Sequence, residues 1–96
     1  MYYTYVLYSE KDQGLYIGYS SNLKVRFQQH INGEVLSTKH RRPLMIAYYE
    51  AYICQQDAEG RERFLKSGSG RTYLRKQMKT FFSIHPLRTS LTTEYI

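Results

Sequence analysis

Tryptophan is absent from this 96-residue chain, cysteine occurs once and proline twice. A single thiol, Cys54, excludes an internal disulfide and suits a reducing compartment. Its apolar, strand-like surroundings read as those of a buried structural thiol. No apolar run nears the ~18 residues a membrane-spanning helix needs. Met1 leads straight into strand-like sequence, so no secretory leader is expected and a cytoplasmic protein is the default. Paired Cys/His sets for zinc are missing. The run Gly68-Ser69-Gly70 lacks the spacing of either nucleotide-binding glycine loop. Acids are scarce too: eight Asp and Glu against fourteen Lys and Arg leave a net charge of +6.

Tyrosine is plentiful, at 11 residues. It gives strands buried area while keeping a hydroxyl for water, a partner or chemistry. The positive charge is uneven. Between Arg61 and Lys79 there are seven Lys or Arg and one acid, Glu62. Such a face favours a polyanion, because each neutralised phosphate releases counterions; it also reads as an ordinary solvated helix surface. Ninety-six residues suffice for one domain. We place it at residues 1–82, with an irregular tail at 83–96.

Residues 2–8 and 15–19 are rich in aromatic and β-branched residues and flank the polar turn SEKDQG, which predicts a β-hairpin. A turn centred between Lys11 and Asp12 pairs Tyr8 with Leu15, Val6 with Ile17 and Tyr5 with Gly18. Val6, Leu15 and Ile17 then face the core, and Tyr3, Tyr5, Tyr16 and Gly18 share the other face. Gly18 leaves room for a close approach to the backbone. Ser20-Ser21 offers helix caps, and Leu23, Phe27 and Ile31 recur at helical spacing, with Arg26 and His30 one turn apart on the edge of that stripe. Asn32-Gly33 ends this helix.

A basic connection with Thr38, Lys39, His40, Arg41 and Arg42 leads to residues 44–53, the most apolar stretch and a natural central strand. Residues 55–66 predict a second helix, in which Glu62 lies between Ala58 and Leu65 and so points inward; Gly60 costs this helix about 1 kcal/mol relative to alanine. SGSG (67–70) breaks the chain, Ser69 can cap, and 71–82 predicts a third, basic helix. The order is β-β-α-β-α-α, an α+β layer. Two phenols, a guanidinium, an imidazole and a carboxylate then gather at the edge of one small core. That set suits phosphodiester hydrolysis, which needs a base for water, positive charge for the phosphate and usually a metal.

The sequence resembles the GIY-YIG nuclease superfamily, in its small stand-alone bacterial form. Tyr3-Thr4-Tyr5 stands at the GIY triplet and Tyr16-Ile17-Gly18 is the YIG triplet itself. Leu23 to His30 looks like the family's helix, Thr38 to Glu50 like its basic loop and third strand, and Arg61 to Arg71 like the segment holding its metal-binding glutamate. The resemblance implies a three-stranded antiparallel sheet flanked by about three helices, and a metal-dependent endonuclease acting on DNA. By it, Tyr16 is the base toward water and Tyr5 orients water or phosphate. Arg26 stabilises the phosphate, His30 assists it or the proton traffic, and Glu62 holds one Mg²⁺ or Mn²⁺. Lys39, Arg41, Arg42, Lys66, Arg71, Arg75, Lys76 and Lys79 are the candidate nucleic-acid contacts. DNA is the expected partner and RNA the alternative, with selectivity left to DNA structure, a partner protein or a homodimer. Two other readings stand beside it: a nucleic-acid-binding protein of the same fold without efficient turnover, and a basic module that meets an acidic protein.

Overall fold

The computed structural model describes residues 1–88. In it, β1 (Tyr2–Ser9) and β2 (Leu15–Ser20) form the predicted hairpin in the predicted register, with Tyr5 opposite Gly18, Val6 opposite Ile17 and Tyr8 opposite Leu15. Asp12 shapes the turn by accepting from the backbone N–H of Gly14 at 2.8 Å. Helix α1 (Leu23–Ile31) follows, then a single 3₁₀ turn at Lys39–Arg41 and β3 (Leu44–Tyr52). Three further helices, α2 (Gln55–Leu65), α3 (Gly68–Gln77) and α4 (Lys79–Ile84), complete the described chain.

The sheet is antiparallel, in the order β2-β1-β3. The apolar third strand is therefore an edge, not the centre. β1 takes the middle because its residues Thr4–Ser9 are all buried, and both of its faces must be covered. On one face Val6, Tyr8, Leu15 and Ile17 pack with Leu65 of α2, Leu74 of α3 and Met78. On the other, Tyr5, Leu7 and Leu44 pack with Leu23 and Phe27 of α1. The face expected to lie away from the core, with Tyr3, Tyr5, Tyr16 and Gly18, is a second core. Thr4 ties the sheet to α2 by donating to the carbonyl of Ala58 at 2.6 Å.

Several local expectations are corrected. Asn22, not Ser20 or Ser21, caps α1, its side chain accepting from the Val25 N–H at 3.2 Å. Ser67, not Ser69, caps α3, and the SGSG segment enters that helix instead of breaking the chain. Gly70 is buried there because a Cβ would collide with the Phe64 carbonyl and lie 2.5 Å from the Leu65 Cα, so the glycine lets α3 approach α2. The helix predicted for 71–82 is two helices, interrupted at Met78; α4 then carries Phe81 edge-on against Tyr8. Beyond α4, Tyr8 donates to the Pro86 carbonyl and the Arg88 N–H to the Gln13 carbonyl, so residues as far as 88 lie across the hairpin. The remainder of the expected tail, 89–96, lies outside the described residues. Cys54 is exposed, not buried, because β3 ends before it and it stands at the entry to α2.

Candidate active site

Tyr5 leaves the middle of β1 with its ring laid across β2 at Gly18. A Cβ at that position would overlap the ring and sit 2.5 Å from the hydroxyl oxygen. The close approach that Gly18 permits is thus made by Tyr5 itself. The Tyr16 ring centre lies 6.3 Å from that of Tyr5. α1 then adds His30, whose ring centre is 5.7 Å from Tyr5 and 5.2 Å from Tyr16, both nearly edge-on.

Helical spacing places His30 at the edge of the apolar stripe, yet it is 0% exposed, while Ile31 is 44% exposed. Leu23 and Phe27 dock α1 on the sheet, and at ~100° per residue the next turn brings position 30 beneath the helix as readily as 31. The burial is tolerable because both ring nitrogens are partnered, Nε2 with the Tyr5 hydroxyl at 2.9 Å and Nδ1 with Thr38 Oγ1 at 2.7 Å.

Burial pushes the Tyr5 phenol up to about 12; Arg26 opposes this by hydrogen bonding and by charge, and the charges of Tyr16 and Glu62 add to the rise. Tyr5 therefore stays protonated at neutral pH. Burial, and secondarily the charge of Arg26, lowers His30 to about 4, so its imidazole is neutral. These interactions bring Arg26, Tyr16 and Glu62 into one electrostatic neighbourhood around Tyr5. Arg26 is half-buried and donates to Gln29 Oε1 at 3.0 Å.

Glu62 stands one turn beyond buried Ala58 on α2, its side chain 23% exposed and paired with Lys66 at 3.0 Å. Among the described residues no three His, Cys, Asp or Glu side chains gather as a metal cage. A cage is not required: Mg²⁺ keeps most of its waters and takes one or two carboxylates with substrate phosphates. Glu62 fits that need, being a partly exposed carboxylate whose ion-pair partner is an exposed, displaceable lysine.

The basic residues divide by what they hold. Arg41 is turned inward, its Nε 2.6 Å and its Nη2 3.2 Å from the Asp12 carboxylate, with a further bond to the Leu15 carbonyl. Arg42 donates to the carbonyls of Lys39 and Ile31, though it also lines a cleft of about 530 Å³ with Lys11, Lys39 and His40. Lys66 pairs with Glu62. Arg71 is half-buried and takes part in side-chain interactions, as does exposed Arg75; Lys76 and Lys79 are exposed.

Two arrangements lie outside the sequence-based expectations. Glu50 accepts from Tyr48, Tyr52 and Arg61, and Arg61 lies over the rings of Phe64 and Tyr73 at 4.9 and 4.5 Å. Those hydrogen bonds outweigh burial and hold the Glu50 carboxyl below its usual range. Arg61 therefore leaves the basic face and braces the α2 side of the sheet. The other is Thr38, fully buried against His30. Its position among basic loop residues gives no sign of that.

The hairpin-first α+β sheet thus sets the Tyr5 phenol of β1 and the Tyr16 phenol of β2 against His30 of α1. The chain belongs to the GIY-YIG family: the family model described as "GIY-YIG catalytic domain" matches residues 1–77. Among curated proteins, it is 39% identical over 77 residues to "UPF0213 protein in ldhD 5'region" of Pediococcus acidilactici, covering 77% of this chain and 78% of that one. It is 36% identical to a UPF0213 protein of Clostridium perfringens, over 69% and 71% of the two chains. With a UPF0213 protein of Limosilactobacillus reuteri the identity is 32%, over 88% and 84%. No solved structure gives a significant match. A GIY-YIG domain implies nuclease-type chemistry on a nucleic acid, with a divalent metal as the usual cofactor. Among the described residues no helix is long and apolar enough to cross a membrane.

Proposed function

We propose that this protein is an endonuclease that hydrolyses DNA phosphodiester bonds with one divalent cation, Mg²⁺ or Mn²⁺, held by Glu62. The observation that carries the reading is the meeting of Tyr5, Tyr16 and His30 in one ring cluster, with Arg26 and Glu62 acting on the Tyr5 hydroxyl. The bound cation supplies Lewis-acid stabilisation of charge on the phosphate and leaving oxygens.

The remaining roles fall to side chains of this chain. Tyr16 takes the proton of the attacking water, while Tyr5, pushed up to about 12, keeps its own. Arg26 places a permanent positive charge beside the phosphate as it becomes five-coordinate. His30, buried and neutral, brings no charge to the phosphate and acts through Tyr5. Exposed Lys76 and Lys79, with Lys39 and Arg42 at the cleft, position the DNA backbone, and selectivity comes from DNA structure, a partner or self-association.

The test is cleavage of end-labelled single-stranded, duplex, flap and branched DNA with Mg²⁺, Mn²⁺ or EDTA, comparing wild type with Glu62→Ala. Metal-dependent cutting that disappears in the variant is the expected result. Equal cutting by both proteins would remove Glu62 from the mechanism. Tight binding without cutting on any substrate would make this a nucleic-acid-binding protein.

A further inference from the structure

Thr38 Oγ1, His30 Nδ1, His30 Nε2 and the Tyr5 hydroxyl form a buried chain, with 2.7 Å and 2.9 Å contacts at its two ends. All three residues are essentially inaccessible to solvent, at 0%, 0% and 1% exposure. Water therefore does not rearrange the chain, and its hydrogens must be shared among the groups present. A neutral imidazole has one N–H and one lone pair, so two directions exist. In the first, Nδ1–H donates to Thr38, the Thr38 hydroxyl donates to the Val35 carbonyl, and Tyr5 donates to Nε2. In the second, Thr38 donates to Nδ1 and Nε2–H donates to the Tyr5 oxygen.

The surroundings select the second. The Val35 carbonyl already accepts the N–H groups of Thr38 at 3.1 Å and Lys39 at 2.9 Å, and the Thr38 hydroxyl lies 3.5 Å away, at the outer limit of a hydrogen bond. Tyr5 then accepts from His30, and its own O–H is left to point away from the imidazole.

We propose that Thr38 is a positioning residue: its hydroxyl fixes His30 as the Nε2–H tautomer, so that His30 donates to the Tyr5 oxygen and the Tyr5 hydroxyl proton is kept off the imidazole, free for another acceptor. This rests on the nuclease reading for its consequence but not for its hydrogen-bond assignment.

The tautomer is read directly by long-range ¹H–¹⁵N NMR of the His30 ring in wild type, Thr38→Val and Thr38→Ser. Wild type and Thr38→Ser are expected to carry the proton on Nε2, and Thr38→Val to lose that preference while keeping the fold by circular dichroism. A wild-type proton on Nδ1, or an unchanged tautomer in Thr38→Val, would overturn the proposal. In single-turnover cleavage, Thr38→Val is expected to lower the rate at saturating DNA by tenfold or more, approaching the ~10²-fold that one misdirected donor costs. Thr38→Ser should recover most of that, with DNA binding unchanged in both. Thr38→Val in a Tyr5→Phe background should add nothing further. A full additional loss in that background would show that Thr38 does not act through Tyr5. If wild type cuts no substrate, the nuclease reading fails, and the NMR result still decides the assignment of Thr38.

Discussion

The Tyr5 hydroxyl and the Gly18 backbone approach so closely that a Cβ at position 18 would lie 2.5 Å from the hydroxyl oxygen. Gly18→Ala removes no functional group, yet it must displace the Tyr5 ring from the His30 contact. A shift of about 1 Å at a reacting centre costs on the order of 10²-fold in rate. The expected result is a loss of that size in single-turnover cleavage, with destabilisation of about 1–3 kcal/mol from overpacking. A variant with wild-type rate and melting temperature would show that the ring is not held there.

Two other glycines should respond in opposite directions. A Cβ at Gly60 would meet only the far end of Arg63, at 3.8 Å, inside a continuous helix. Gly60→Ala is expected to stabilise by about 0.5–1 kcal/mol. Gly70→Ala drives a methyl into the Phe64 carbonyl, and should destabilise by about 1–3 kcal/mol while separating α2 from α3. Urea midpoints of the two variants check both signs.

His30 ties stability to pH. Its folded-state value of about 4 lies below the ordinary 6.5, so within that window the unfolded chain takes up a proton that the folded chain refuses. The contribution is fully present above pH 6.5, falls as the pH drops and is gone below about 4, a total on the order of 3 kcal/mol. Asp12 and Glu50, both held below their usual carboxylate values, add their own losses only at lower pH. Urea unfolding at pH 7, 6 and 5 should show the decline in wild type and a flatter profile in His30→Gln. Parallel profiles would remove His30 as the cause.

The basic residues should separate into structural and binding classes. Arg41→Ala leaves the half-buried Asp12 carboxylate without its bidentate partner and is expected to cost about 1–3 kcal/mol of stability. Lys76→Ala with Lys79→Ala should leave the melting temperature alone. It should weaken DNA binding and flatten the slope of log affinity against log salt by about 0.9 for each phosphate that the variant no longer neutralises. An unchanged slope would clear that face of a role in binding.

Alternation and turn chemistry sufficed for the hairpin: SEKDQG between two tyrosine-rich runs predicts the Tyr5–Gly18 register that the fold adopts. The helical spacing of Leu23 and Phe27, the Asn32-Gly33 stop and the acid on α2 were equally legible, because each depends on residues within a turn or two of one another. So was the set Tyr5, Tyr16, Arg26, His30 and Glu62 as candidates, through the two triplets and their spacing.

Tertiary packing decided the rest. Which strand is central depends on which face of each strand finds a cover, and β1 finds two. Whether Gly68 to Gly70 break a helix or begin one depends on how near α2 lies, and sequence does not measure that distance. The same sequence run fits Arg41 for a phosphate or for Asp12, until the hairpin turn folds beneath it. Position 30 becomes the most buried point of α1 because Leu23 and Phe27 set the helix phase against the sheet, and Thr38 meets it only when the connection folds back. Local patterns thus determined the elements and the candidate chemistry of this chain. The orientation of each polar group, and so the role each can play, came from contacts between segments that no spacing along the chain records.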